Sequence, residues 1–125
     1  MSPLQQRLIN LSYSMLDLPN SRFKHFTYIC RRRQIVSYGW NSKKTDPIAA
    51  KYKYFGGSRH SELHAIFNFP YDKETLSRYT FYNVRINNLG EVALSRPCHI
   101  CQDVLKIFGV TRLLYTNQEG EFIDG

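Results

Sequence analysis

The chain has 125 residues, a formal charge of +7, 42% apolar side chains and 14% aromatic ones. That composition supports a packed interior and excludes wholesale disorder, and the length predicts a single domain over residues 1–125. No stretch reaches the roughly 20 apolar residues of a membrane span.

Met1–Arg7 shows no basic segment followed by an apolar run, so a cytoplasmic protein without a secretory leader is expected. Three cysteines, Cys30, Cys98 and Cys101, are an odd number and argue against a disulfide scaffold. The charge is uneven. Residues 1–62 carry 11 Lys and Arg against 3 Asp and Glu, whereas residues 63–125 carry 6 against 7. A positive field concentrated in one half favours an anionic partner, although a solvated surface explains net charge equally well.

Along the chain, Leu4, Leu8, Leu11, Met15 and Leu18 recur at helical spacing, which predicts a helix over Pro3–Leu18. Ser2 suits its N-cap and Pro3 its first turn. Phe23–Cys30 and Gln34–Trp40 are rich in β-branched and aromatic residues and read as a hairpin joined by Arg31-Arg32-Arg33. Asn41–Pro47 reads as loop, and Ala49–Ser58 as an irregular basic and aromatic segment. A helix begins near Ser58–Glu62 and stops before Pro70. Tyr79–Ile86 is a predicted strand, Asn87–Gly90 a turn and Val92–Leu94 a short return. A third helix covers Cys98–Phe108 with Gly109 as its C-cap, and Arg112–Thr116 is a further strand. This order implies an α/β chain with a mixed sheet and helices packed on it.

The residues that carry chemistry are His60, Glu62, Cys98 and Cys101. Two thiolates three apart at the first turn of a helix can address one centre, and the helix dipole favours their ligating form. An imidazole from another helix start supplies a third ligand, and Zn²⁺ held by three protein ligands keeps a fourth position open for water. Glu62 can exchange a proton with that water. The pattern His-x-Glu, then 34 residues, then Pro-Cys-x-x-Cys is that of zinc-dependent nucleobase deaminases.

The chain resembles the cytidine/deoxycytidylate deaminase superfamily over about residues 3–120. Tyr38-Gly39-Trp40-Asn41 looks like the Gly-aromatic-Asn ending of the second strand in deoxycytidylate deaminases. His60–Ile66 is similar to their His-Ala-Glu-x-Asn-Ala-Ile, and Ser95–Gln102 to their Pro-Cys-x-x-Cys helix start. Gly109–Tyr115 is similar to the strand that follows. Asp46–Tyr52 looks like a segment of small, often phage-encoded members, for which a host-cytoplasm location would follow.

The resemblance implies a three-layer fold, a central mixed β-sheet flanked by helices. It implies zinc on His60, Cys98 and Cys101, proton transfer by Glu62, a sugar contact from Asn41 and a base contact near Ser61. The implied reaction converts cytosine to uracil with loss of ammonia. Trp40 and Arg96 are further substrate-binding candidates, and Lys43, Lys44, Lys51 and Arg59 are phosphate-binding candidates because they precede the active-site helix. Ser61 stands where the family usually has Ala, His64 where it has Asn, and Arg96 where many relatives have Glu or Ser. Ile100 replaces the Met of tRNA adenosine deaminases, which disfavours adenosine.

Three functions follow. The first is deamination of a free deoxycytidine nucleotide. The second is the same chemistry on cytosine in single-stranded DNA or RNA, which the basic N-terminal half suits. The third is a silent zinc-stabilised binding module, in which His64 completes a closed Cys-Cys-His-His site with no open position. His25 and His99 read as packing or surface residues. Trp40, Tyr115 and Phe122 fit either core packing or base stacking. Family members often form oligomers, and the aromatic surplus is compatible with a homo-oligomer.

Overall fold

The computed structural model describes residues 1–19, 23–43 and 59–125. Helix α1 spans Pro3–Ser14, strands β1 and β2 span Lys24–Arg31 and Gln34–Trp40, and helix α2 spans Ser61–Asn68. A 3₁₀ turn at Lys73–Arg78 leads into β3 (Thr80–Ile86) and β4 (Val92–Ala93). Helix α3 (His99–Ile107), β5 (Leu113–Thr116) and β6 (Phe122–Asp124) complete the described elements.

The sheet runs β2-β1-β3-β5-β6, with β4 paired to the end of β3. β3 and β5 are parallel and the other pairs antiparallel, so the expected mixed sheet is present. Strand alternation divides the core in two. Phe26, Tyr28, Cys30, Val84 and Ile86 meet Leu8 and Ile9 of α1. Ile29 and Phe81 meet Leu63, Ile66 and Phe69 at α2, and Cys101, Val104 and Leu105 of α3. Both faces are covered, which explains the unbroken burial of Phe26–Cys30. Each fully buried Leu, Ile or Phe contributes about 1.5–3 kcal/mol. The three-layer architecture expected from the sequence is the one observed.

The local signals act as the sequence implies. Ser2 and Gln5 form a reciprocal capping box with Pro3 in the first turn of α1. Gly109, at φ 74°, ends α3 with Val110 N–H donating to the Leu105 carbonyl at 2.9 Å. One boundary differs, and two short elements are added. Helix α1 ends at Ser14 rather than Leu18, because the chain turns there and Leu18 is exposed. The turn at Lys73–Arg78 is capped by Asp72 and anchored by buried Leu76. β6 is three residues long and exists through its pairing with β5.

One close approach positions α2. Gly39 of β2 faces that helix, and a Cβ there would overlap the Ala65 backbone nitrogen and lie 2.7 Å from the His64 carbonyl carbon. Ser37, two residues earlier on the same face, donates to the Ala65 carbonyl at 2.7 Å. Gly39→Ala should therefore displace α2 from the sheet and cost about 1–3 kcal/mol. A chemical-denaturation midpoint equal to that of the parent chain would contradict this packing.

Candidate metal centre and cleft

Two helix starts converge on one point. His60 is the N-cap residue of α2, Cys98 is that of α3, and Cys101 lies in the first turn of α3. A backbone bridge delivers His60. Ser42 N–H donates to the Arg59 carbonyl at 2.9 Å, and Arg59 N–H returns to Ser42 at 2.8 Å. His60 Nδ1 lies 3.3 Å from Cys101 Sγ and 3.5 Å from Cys98 Sγ, and the three donor atoms all lie within 4.8 Å of one another. The Cys98 thiol is held down at about 3 by the hydrogen bond from the Cys101 side chain. His60 and the Cys101 N–H add to that effect, while partial burial opposes it. Cys98 is therefore a thiolate at neutral pH.

These donors fit zinc. Sulfur about 2.3 Å and nitrogen about 2.0–2.1 Å from a tetrahedral ion lie roughly 3.5 Å apart, which matches the 3.3 and 3.5 Å seen here. Among the described residues, no fourth His, Cys, Asp or Glu joins the three. His64 is buried on α2 with Nδ1 against the Trp40 backbone, 3.1 Å from its nitrogen and 3.2 Å from its oxygen. It is engaged there rather than in the donor cluster, which removes the geometric basis of a closed four-ligand site.

Glu62 is 6% exposed and is the centre of a hydrogen-bonded ring. Oε1 contacts Ser61 Oγ at 3.0 Å, and Ser61 Oγ contacts Thr27 Oγ1 at 2.8 Å. Thr27 Oγ1 contacts Asn83 Oδ1 at 2.7 Å, and Asn83 Nδ2 donates to Glu62 Oε2 at 3.1 Å. The same amide nitrogen donates to the Ser95 carbonyl at 3.2 Å, which fixes its orientation. Two hydroxyls and one amide N–H supply three protons for these four contacts. With Ser61 donating to Glu62 Oε1 and Thr27 to Asn83 Oδ1, the Ser61–Thr27 contact is the one left without a proton, and a protonated Glu62 donating to Ser61 would fill it. Burial also raises the Glu62 pKa, against the pull of its hydrogen bonds and of the nearby His60.

The cleft in front of this group has a volume of ≈ 330 Å³. His60, Ser61, Glu62 and Cys98 line its base, and Lys43, Arg59 and Arg96 bring three cations to its walls. Asn41 also lines it, but its amide is engaged by the backbone. Oδ1 accepts from His25 N–H at 2.9 Å, and Nδ2 donates to the Phe23 carbonyl at 2.6 Å. Arg96 donates to the Tyr115 hydroxyl at 3.2 and 3.0 Å and stands between this cleft and a second cavity of ≈ 310 Å³ beside α3. Tyr115 is thus an anchor for Arg96, and Phe122 packs edge-on against Tyr82.

Trp40 is placed elsewhere. Its ring packs edge-on against His64, 4.5 Å between centroids, and beside Tyr38. Strand alternation turns it away from the cleft that its neighbour Asn41 lines. Lys44 and Lys51 lie outside the described residues. Sequence reasoning missed Phe23 and His25, which line the cleft from the start of β1, and Thr27 and Asn83, which hold Glu62. Only the β1–β3 register, with Thr27 opposite Asn83, brings that last pair together.

Among solved structures, the dCMP deaminase of cyanophage S-TIM5 superposes with a TM-score of 0.62 at 16% identity, covering 94% of this chain and 86% of that one. That enzyme has also been crystallised in complex with dCMP and dUMP. Cytidine deaminase from Burkholderia pseudomallei gives a TM-score of 0.62 at 17% identity, covering 100% and 92%. The Mycobacterium leprae cytidine deaminase gives 0.58 at 13%, covering 95% and 91%. The chain therefore has the fold of the cytidine and dCMP deaminases. No family model matches the sequence, and no curated protein sequence does. Among the described residues, no helix is long and apolar enough to cross a membrane.

Two outcomes test the site without reference to activity. Asn83→Ala leaves Glu62, Thr27 and the Ser95 carbonyl short of a partner inside the protein, at a cost of about 1–3 kcal/mol per stranded group. Urea midpoints measure it, and a loss below about 0.5 kcal/mol, the level of an ordinary surface change, would contradict the ring. The second concerns His25, whose pKa is lowered to about 4 by burial, by Arg85 and by His60. Its unfolded value is near 6.5, so the unfolded chain takes up the proton first as pH falls. Stability is full above pH 6.5 and is lost towards pH 4, by up to about 3 kcal/mol. His25→Gln should flatten that part of the stability–pH curve, and an unchanged slope would refute the assignment.

Proposed function

We propose that this protein hydrolytically deaminates cytosine to uracil, acting on a free deoxycytidine nucleotide of the dCMP type. The observation that carries the proposal is the open donor triangle His60–Cys98–Cys101 set beside buried Glu62, within the fold of the cytidine and dCMP deaminases. Bound to the triangle, zinc supplies a nucleophile from water near neutral pH. The protein's own groups manage the protons and the substrate.

In the net reaction, the oxygen of one water bonds to C4, the C4–N4 bond breaks, and ammonia leaves. The two water protons end on N3 and on the departing nitrogen. Glu62 is the group that accepts and returns them. Burial favours the proton-bearing carboxyl, the state Glu62 reaches between acceptance and return, and the hydrogen bonds and His60 favour the ionised one. Lys43 and Arg59 are the phosphate contacts, as charged donors on one wall of the cleft. Arg96, anchored by Tyr115, contributes a third cation. Neutral His25 adds a donor or acceptor without another positive charge. Asn41 shapes the sugar end of the cleft by holding the backbone of Phe23 and His25.

A substrate panel of cytidine, deoxycytidine, their monophosphates and triphosphates, and single-stranded DNA tests the proposal. dCMP should give the highest kcat/KM, with release of ammonia. Uracil formation only in the oligonucleotide would replace the free-nucleotide substrate with a polymeric one. Glu62→Gln should retain stoichiometric zinc while turnover falls by at least about 100-fold. Cys98→Ala should lose zinc and stability together, because metal binding is linked to folding. Arg59→Ala should raise KM for dCMP and leave deoxycytidine turnover little changed. Full activity in Glu62→Gln would end the deaminase proposal.

A further inference from the structure

The hairpin tip opposite the cleft carries a second concentration of positive charge. Arg32 and Arg33 form the turn between β1 and β2, with Arg31 paired to Gln34 at its base. Arg7 of α1 joins them. One concavity, of ≈ 490 Å³, is lined by Arg7, Arg32 and Arg33 together with the start of α1 and Tyr82. A second, of ≈ 530 Å³, is lined by Arg31–Arg33 and Gln34. Among the described residues, no acidic one lines either concavity. All four arginines are exposed, and none makes a side-chain hydrogen bond or ion pair with a described residue. Arg32 has a φ of 57°, the one positive value at a non-glycine position among the described residues. Two-residue hairpin turns ordinarily place Gly, Asn or Asp at such a position. A long cation stands where a small residue fits the backbone better.

The two concavities share Arg32 and Arg33, so the guanidinium groups form one continuous rim rather than a single pocket. A continuous basic rim matches a chain of phosphates better than an isolated phosphate group. The cleft lies about 20 Å away, six residues back along β1 from Arg31 to His25. We infer that the Arg7/Arg31–Arg33 rim binds the phosphate backbone of a single-stranded nucleic acid, at a place separate from the cleft. The inference does not rest on the deaminase proposal, because it concerns binding at the far end of the hairpin.

The test uses a fluorescein-labelled 15-nucleotide oligo(dT), read by anisotropy from 50 to 200 mM NaCl, with and without excess dUMP, the product of the proposed reaction, to occupy the cleft. The full chain is compared with Arg31→Ser/Arg32→Gly/Arg33→Ser, in which glycine suits the positive φ. The variant should bind at least ten-fold more weakly at 50 mM salt, and the slope of log K against log salt should fall by about 0.7 per cation removed, or about 2 in all. Its dCMP turnover and thermal midpoint should stay at the parent level. Arg33→Glu alone, and Arg7→Ala alone, should each weaken binding measurably, which keeps the test readable if the triple variant fails to fold. Equal affinity in all rim variants would overturn the inference. So would loss of oligonucleotide binding only in Lys43→Ser/Arg59→Ser, which would put the strand in the cleft. Displacement of the oligonucleotide by equimolar inorganic tripolyphosphate would also overturn it, by reducing the rim to a polyphosphate site.

Discussion

The 3.3 and 3.5 Å contacts that place the His60 imidazole between two sulfurs join helix starts separated by 38 and 41 positions in sequence. Everything at the cleft base depends on those two starts meeting. They meet because α2 and α3 pack on the same face of one sheet, around Ile29 and Phe81. Helix α2 reaches its place only because Gly39 lets β2 approach the backbone of His64 and Ala65. Glycine in the strand, core packing and donor geometry are therefore one constraint seen at three scales. Moving α2 by a fraction of an ångström would change the sulfur–nitrogen distances and the seat of Glu62 together.

What was legible in the sequence was local. Helical spacing, the capping box at Ser2, the turn residues and the pair of motifs around His60 and Cys98 are properties of short stretches, and each is found where those stretches imply, save that α1 ends at Ser14. What was not legible depended on pairing. Asn83 sits in Thr80–Ile86, where nothing about its neighbours marks it out. Its meaning comes from standing opposite Thr27 across β1 and β3. His25 and Phe23 read as ordinary strand residues until β1 is placed beside the end of β2. Trp40, open in the sequence between core packing and base stacking, packs. Its position in a family-like motif suggested a substrate contact, but period-two alternation puts Asn41 in the cleft and turns Trp40 towards His64.

The uneven charge has a spatial counterpart. Among the described residues, six cations of the first half lie at two ends of the β1–β2 hairpin, Lys43 and Arg59 at the cleft and Arg31–Arg33 with Arg7 at the tip. An evenly solvated surface would scatter them. The cleft group surrounds a concave site with a carboxyl group at its base, which suits a small anionic substrate. The tip group surrounds two open, adjoining concavities that no described carboxylate lines, which suits an extended anion.

Ser61 joins Glu62, the proposed catalytic base, to the fold. The family usually has Ala there, and a methyl group would leave Glu62 Oε1 and Thr27 Oγ1 without a shared partner. The hydroxyl closes a ring in which Glu62, Ser61, Thr27 and Asn83 are all bonded, and which is one proton short whenever Glu62 is ionised. Both charge states therefore carry a cost. The ionised carboxyl sits in a buried site with an incomplete ring, and the protonated one gives up its charge-assisted hydrogen bonds and the attraction of His60. A base that must accept a proton and release it again within one turnover works best when neither state is strongly preferred. Burial raises the pKa of Glu62 and the hydrogen bonds and His60 lower it, and that opposition is the physical reason a carboxyl group can work as both acid and base at the floor of this cleft.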